Sequence, residues 1–271
     1  MSFVVWLLLV LASPASGAPA AVEKSLERLV PAIRSADYRG DRQALDRLEA
    51  ELEKLQGSGL EEYRLYWRGF ARWRRAINGF NEKPMPADLS NDLEAAVGHF
   101  RAALERRPNW IEARLALAGC WANLLYVVGD DAARRQAILS EAVPAWKSLE
   151  ADGSDNSRVL WIVGGLQLFS ALQRGGDLQK AVATLRRGVE SSCRQALAGA
   201  EPTWAPAWGG PENLMNLAYL YSHSAANNKT AALAYALGAL TSVPEWHYVR
   251  DVLLPQIEAM PEAPGPAASG K

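Results

Sequence analysis

The sequence has few of the residues on which catalytic and metal sites depend. Its 271 residues include only 3 histidines and 2 cysteines. His99, His223 and His247 are far apart, and none belongs to a metal-ligand spacing such as HExxH. A Gly-x-Ser-x-Gly elbow, a Cys–His catalytic signature and a dinucleotide-binding glycine motif are also missing. The sequence therefore predicts a protein that is not an enzyme and that uses no metal or cofactor.

The chain also lacks an excess of charge of either sign. Its 29 Lys and Arg residues nearly balance 30 Asp and Glu residues, which gives a formal net charge of -1. Proteins that bind nucleic acid or an anionic membrane surface electrostatically carry a basic patch or stripe. We therefore expect no nucleic acid and no membrane surface among the partners.

Long apolar runs are missing except for one at the N-terminus. The run from Phe3 to Ala12 is too short to cross a bilayer as a helix, and small residues follow it. This pattern predicts a signal peptide over residues 1–20, cleaved after Gly17 or Ala20. An uncleaved anchor or a buried helix is the alternative. We expect an exported protein, periplasmic or secreted, with no stable membrane insertion after cleavage.

The two cysteines leave two alternatives open. Cys120 and Cys193 would both enter an oxidising compartment, where a single disulfide can form between them. However, each lies within a predicted helix, and Cys120 precedes the apolar Trp121. Free cysteines in such positions behave as small buried hydrophobic residues. The helical context favours the unpaired state.

Most of the chain has the periodicity of amphipathic helices. Apolar residues such as Leu45, Leu48 and Leu52 recur every three or four positions, which puts them on one helix face. Pro144 falls inside one such segment and is expected to kink or split it. Residues 260–271 are rich in Pro, Ala and Gly, and we expect a disordered tail there. Helices are predicted over residues 41–56, 60–80, 92–107, 111–128, 132–151, 158–172, 178–197, 213–223, 227–243 and 245–259.

Residues 92–123 contain the pattern from which the rest of the chain is interpreted. They contain two amphipathic helices about a Pro–Asn turn, which together make a helical hairpin. Such a hairpin cannot bury its apolar face alone, so it needs neighbours of its own kind. Part of the same pattern recurs in a stretch near the C-terminus. The pattern is carried by Ala96, Phe100, Ala103, Pro108, Leu117, Ala118 and Trp121, and near the C-terminus by Ala232, Ala239 and Pro244.

On these residues the stretch resembles a tetratricopeptide repeat. That family places small, aromatic and small residues along its second helix and a proline at its end. The resemblance implies an all-α solenoid of about five antiparallel helical hairpins over residues 21–259. It also implies a function in binding a protein or peptide, whose identity the sequence does not reveal.

The resemblance further implies a ligand groove along the first helix of each hairpin. The chaperone-binding members of the family use Lys and Asn there to clamp a C-terminal carboxylate. Leu115 and Gly119 stand at two such positions, so that clamp is absent in this repeat. The groove positions that the resemblance assigns are Glu112, Leu115, Gly119, Ala122 and Asn123.

The helix predicted over residues 60–80 is rich in both aromatic and arginine residues. Trp67, Phe70 and Trp73 together with the arginines are compatible with a stacking platform for nucleic acid or carbohydrate. Alternatively, the aromatic side chains lie in the core and the arginines cover the outer face. The lack of net positive charge favours the second alternative.

Residues 199–212 form the longest predicted connection without helical periodicity. The stretch contains Trp204 and Trp208 among prolines and glycines, and two tryptophans argue against disorder. We expect this loop to fold back onto the helices, where it either fills a groove as structure or lines a ligand site. The main functional hypothesis is non-catalytic protein binding. The alternatives are a small-molecule carrier that uses Trp204 and Trp208, and an enzyme of unrecognised type.

Overall fold

A computed structural model describes residues 18–55, 59–152, 155–199, 201–223 and 226–261. Within these ranges the chain is all-helical and has no strand, which confirms the all-α part of the predicted fold class. Residues 1–17 of the predicted signal peptide and 262–271 of the predicted tail lie outside the described residues. The elements are α1 (Ala18–Tyr38), α2 (Arg42–Lys54), α3 (Glu61–Gly79), α4 (Leu89–Arg106), α5 (Ile111–Val127), α6 (Ala132–Asp152), α7 (Ser157–Arg174), α8 (Leu178–Leu197), α9 (Gly210–His223), α10 (Lys229–Ser242), and a π-helical segment (Tyr248–Leu253) that continues into α11 (Leu254–Glu258).

Neighbouring helices pack in succession along the chain. Each helix from α1 to α9 contacts the next one, as expected when short connections join antiparallel neighbours. In addition, α1 contacts α3, α3 contacts α5, α5 contacts α7 and α7 contacts α9. These five helices therefore form one continuous layer, which we call the odd-helix layer.

Polar side chains cap the N-termini of several helices at positions where the sequence predicts a helix start. Asp41 accepts a hydrogen bond from the Ala44 amide (2.8 Å) at the start of α2. Asp177, which precedes the helix predicted over residues 178–197, accepts one from the Lys180 amide (3.0 Å). Each bond satisfies an amide of the first turn that has no partner within the helix.

The prolines act differently at helix ends and inside helices. Pro108 and Pro244 lie in the turns that follow α4 and α10, as predicted. Pro144 lies inside α6, which continues from Ala132 to Asp152, so of the two predicted effects the split does not occur. Proline removes the bond to the carbonyl four residues earlier. Here that carbonyl belongs to the exposed Ser140, where water can replace the lost partner.

Most arginine side chains of α3 lie on a different face from its aromatic side chains, and the buried Arg74 is the exception. Trp67, Phe70 and Trp73 are at most 2% exposed. Arg68 and Arg72 point instead to carboxylates of α2. The interpretation that places the aromatics in the core is therefore confirmed for this helix.

Glu49 of α2 is the centre of the ionic network on that outer face. Arg68 Nε donates to Glu49 Oε1 (2.7 Å), and Arg72 Nη2 donates to Oε2 (2.8 Å). Burial alone would raise the pKa of Glu49. Hydrogen bonds with His99 and Arg68 and the charge of Arg72 outweigh burial and lower the pKa from its usual 4.5 to about 2.

We expect this network to lose its stabilising effect in acid. The pKa of Glu49 is lower in the folded than in the unfolded chain, so its contribution is present above pH 4.5 and is lost as pH falls towards 2. Urea titrations across this range should show a smaller decrease in the free energy of unfolding for Glu49→Gln than for the wild type. Glu105→Gln, at an exposed carboxylate of α4, should follow the wild type. Equal pH profiles for all three proteins would contradict the prediction.

Gly164 and Gly165 are adjacent in α7 but have different surroundings. A Cβ atom on Gly164 would lie 2.5 Å from Leu185 Cδ2 of α8, and Leu185 is fully buried. On Gly165 the nearest atom would be Asn216 Nδ2, at 3.5 Å. Helix α8 therefore packs closely on this glycine pair at Gly164.

Alanine at these two positions is expected to have opposite effects. Gly164→Ala forces Leu185 to move within a packed interface and should destabilise the protein by about 1–3 kcal/mol. Gly165→Ala meets only ordinary contact and should stabilise the helix by up to about 1 kcal/mol. Thermal unfolding of the two variants checks this difference in sign. A stabilising Gly164→Ala substitution would show that the α7–α8 interface is looser than described.

The two cysteines do not pair. Cys120 is buried in α5 and Cys193 is exposed on α8, and both are free. Burial raises the pKa of the Cys120 thiol well above its usual value, so this thiol stays protonated.

None of the helices in the described ranges combines the length and apolarity needed to cross a membrane.

Candidate functional site

The groove residues assigned to α5 are largely covered. Leu115 is fully buried and Glu112 is 6% exposed. Ala122 and Asn123 are half-buried, and Asn123 Oδ1 accepts a hydrogen bond from Trp73 Nε1 (2.8 Å). Since α5 contacts α3, α4, α6 and α7, little of its surface is left open. These four residues do not form an exposed groove in this structure.

The described residues 201–209 connect α8 to α9, and we call them the crossing segment because they run across the odd-helix layer. Side chains from three helices of that layer, α1, α3 and α7, donate hydrogen bonds to its main-chain carbonyls. Hydrogen bonds to main-chain carbonyls allow a helical surface to hold an extended chain whatever side chains that chain carries. The three bonds are Trp67 Nε1 to the Trp204 carbonyl (2.7 Å), Arg34 Nη2 to the Ala207 carbonyl (3.2 Å) and Arg158 Nη1 to the Trp208 carbonyl (3.1 Å).

Trp208 anchors the crossing segment in the core. It is 2% exposed, and its ring centroid lies 5.9 Å from Phe70, 5.9 Å from Trp73 and 5.4 Å from Trp161. Its indole Nε1 donates a hydrogen bond to the Tyr66 hydroxyl (3.0 Å). Burial raises the pKa of Tyr66 well above its usual value, so this hydroxyl stays protonated. Trp208 thus has both the apolar contacts and the polar partner that a buried indole requires.

Trp204 makes a second, shallower contact. Its side chain is half-buried, and its ring packs edge-on against Tyr63 at 4.7 Å between centroids. The loop therefore folds back onto the helices through both of its tryptophans, as the sequence predicts.

A buried polar cluster, consisting of Asp37, Tyr38, Arg74 and Glu212, lies beside Trp208. Arg74 Nε donates to Asp37 Oδ2 (2.8 Å), and Tyr38 Oη donates to Glu212 Oε1 (2.8 Å). The four residues are at most 5% exposed. They join α1 and α3 to α9, so the first and last helices of the odd-helix layer meet through hydrogen bonds.

The chemistry of this cluster is that of a structural support. Burial raises the pKa of the Asp37 carboxyl above its usual value of 3.8, and the charge of Arg74 opposes this effect. Burial also raises the pKa of Tyr38. Perturbed groups of this kind can mark an active site. Here the four groups are nearly fully buried and are paired with one another, which favours a structural role.

Sequence reasoning did not identify Arg34 and Arg158 as residues that hold another segment. Neither lies in a motif, and their role depends on a segment about 170 and 50 residues away along the chain. Glu112 acts through Arg158, because its carboxylate accepts two hydrogen bonds from that guanidinium (2.6 and 2.7 Å). The residue predicted to face a ligand instead orients the arginine that holds the crossing segment.

Two surface clefts lie elsewhere on the described surface. One of about 320 Å³ lies between α4, α5 and α6, and one of about 230 Å³ lies between α1 and the turn after α10. Residues of the crossing segment line neither of them. Among the residues that the structure describes, no three His, Cys, Asp or Glu side chains are grouped to hold a metal ion.

Comparisons with protein-family models, with curated proteins and with solved structures give no match for this chain.

Proposed function

We propose that this protein is a non-catalytic binding protein of the tetratricopeptide type, whose odd-helix layer recognises an extended stretch of a partner polypeptide. The helical hairpins would form a solenoid, with the odd-numbered helices as the first helix of each pair. From the N-terminal apolar run and the small residues after it, we propose that the protein is exported to the periplasm or the medium.

The observation that supports this proposal is the contact between the odd-helix layer and the crossing segment. Three side chains on α1, α3 and α7 donate to main-chain carbonyls of a segment that is neither helix nor strand. Main-chain recognition combined with pockets for selected side chains is how repeat and groove proteins bind extended peptides. The layer therefore has the chemistry that a peptide ligand needs.

The carrier hypothesis has less support. The tryptophans that it relies on are in contact with protein groups, and Trp208 is packed against three aromatic rings. A carrier needs a cavity next to these rings, and the two clefts described above are lined by other residues.

Peptide selection tests the proposed function. A random peptide library is selected on the full chain, and the affinity of enriched peptides is measured by calorimetry for Arg34→Ala and Arg101→Ala. Arg34 lies on the odd-helix layer, whereas Arg101 is an exposed residue of α4. We expect Arg34→Ala to weaken binding several-fold and Arg101→Ala to leave it unchanged. Failure to enrich any peptide, or equal effects of the two substitutions, would refute the proposal.

A further inference from the structure

We propose that the crossing segment is an intramolecular ligand, and that the same surface binds in trans a non-helical peptide with two tryptophans four residues apart. This inference rests on the proposed function. It adds the class of the ligand and identifies the crossing segment as its competitor. The partner would replace the crossing segment on α1, α3 and α7.

The contacts of the crossing segment define what is recognised. Trp204 and Trp208 supply its ring contacts, and three carbonyls supply its hydrogen bonds to the layer. Four other side chains point to solvent. Pro202 and Pro206 restrict the backbone, and the Ala205 amide donates to the Pro202 carbonyl (2.8 Å) to close a turn between them. Both restraints lower the entropy lost on binding. The exposed side chains are Glu201, Pro202, Thr203 and Ala207.

The packing of α7, α8 and α9 against one another does not depend on the crossing segment. α8 and α9 contact each other directly, and α7 contacts both of them. Gly199 and Gly209, at the two ends of the segment, have φ angles of 122° and 113°, which glycine adopts readily. The segment can therefore leave the layer by rotation at its ends while these three helices stay packed.

The crossing segment leaves two buried donors of this surface without hydrogen-bond acceptors. Arg34 Nε and Trp161 Nε1 are buried on the odd-helix layer and have no acceptor among the described residues. A buried donor without a partner lowers stability, and a ligand that supplies an acceptor gains from it. A partner peptide with carbonyls near these two donors would therefore bind more favourably than the segment does.

The tether gives the crossing segment a kinetic and thermodynamic advantage. A segment held by short connections competes at an effective concentration of about millimolar. The apparent affinity of a free peptide is reduced by the fraction of molecules in which the segment has left the layer. We therefore expect weak binding to the wild type and tighter binding when the segment is weakened.

Fluorescence anisotropy with a labelled peptide of the sequence EPTWAPAWG tests this inference. Trp204→Ala and Trp208→Ala in the full chain weaken the segment and should bind the peptide at least about tenfold more tightly than the wild type. Leu197→Ala, at an 87% exposed residue before the segment, should match the wild type. A peptide with both tryptophans replaced by alanine should bind the two variants at least about tenfold more weakly.

Each outcome decides the inference. Equal affinity of the peptide for the wild type and the folded variants would overturn it, and so would equal binding of the alanine peptide. If Trp208→Ala does not fold, Trp204→Ala remains a complete test, because Trp204 is only half-buried. Library peptides that depend on Arg34, combined with failure of the tryptophan peptide, would overturn this inference and leave the proposed function standing.

Discussion

Replacing Asp37 by alanine is expected to destabilise the protein by about 3–5 kcal/mol, because Arg74 would keep its charge in the core without a counter-charge at its Nε. Arg74 and Asp37 are 4% and 2% exposed, and their side chains are 2.8 Å apart. The guanidinium carbon of Arg74 also lies 5.8–6.0 Å from the ring centroids of Phe70, Trp73 and Trp161, where water has little access. Urea unfolding followed by circular dichroism measures the loss.

The matched control for this prediction is an exposed ion pair. Arg101 and Glu141 are 3.4 Å apart, and both side chains are more than half exposed. Solvent screens such a pair, so Glu141→Ala should cost at most about 1 kcal/mol. The double variant Asp37→Ala/Arg74→Met should recover part of the loss, since it removes the isolated charge. An Asp37→Ala protein as stable as Glu141→Ala would show that Arg74 reaches solvent.

Trp208→Ala is expected to lower the free energy of unfolding by about 3–5 kcal/mol. The substitution leaves a cavity between Phe70, Trp73 and Trp161 and removes the indole donor from the Tyr66 hydroxyl. These contacts come from α3 and α7, which are packed against neighbouring helices, and this packing restricts collapse into the cavity. Thermal and urea unfolding both measure this effect.

Phenylalanine at position 208 separates the two contributions. Trp208→Phe keeps most of the ring contact and loses the hydrogen bond to Tyr66, so it should cost less than Trp208→Ala. Leu197→Ala, at an exposed position of α8, should change stability by no more than about 0.5 kcal/mol. If Trp208→Ala and Leu197→Ala had similar stabilities, the crossing segment would not be part of the core.

Local pattern was sufficient to predict the helices. The predicted helix over 60–80 is observed as Glu61–Gly79, and the one over 158–172 as Ser157–Arg174. Asp41 and Asp177 cap helices where short polar residues precede apolar periodicity. Helix periodicity and capping depend on residues three or four apart, so the sequence alone contains this information.

The site could not be predicted in the same way. The sequence indicated that the loop with Trp204 and Trp208 folds back, but not which helices receive it. The groove assigned to α5 is covered, because Glu112 pairs with Arg158 and Leu115 lies in the core.

The sequence by itself determined an all-helical chain, the approximate boundaries of α2 to α10 and the apolar face of most helices. Only the tertiary structure decided that Tyr38 meets Glu212, that Arg74 is buried beside Asp37, and that Trp208 fills the odd-helix layer. Tyr38 and Glu212 are separated by 174 residues. Contacts at such separation depend on how the helices are oriented relative to one another, and periodicity within a single helix has no information about that orientation.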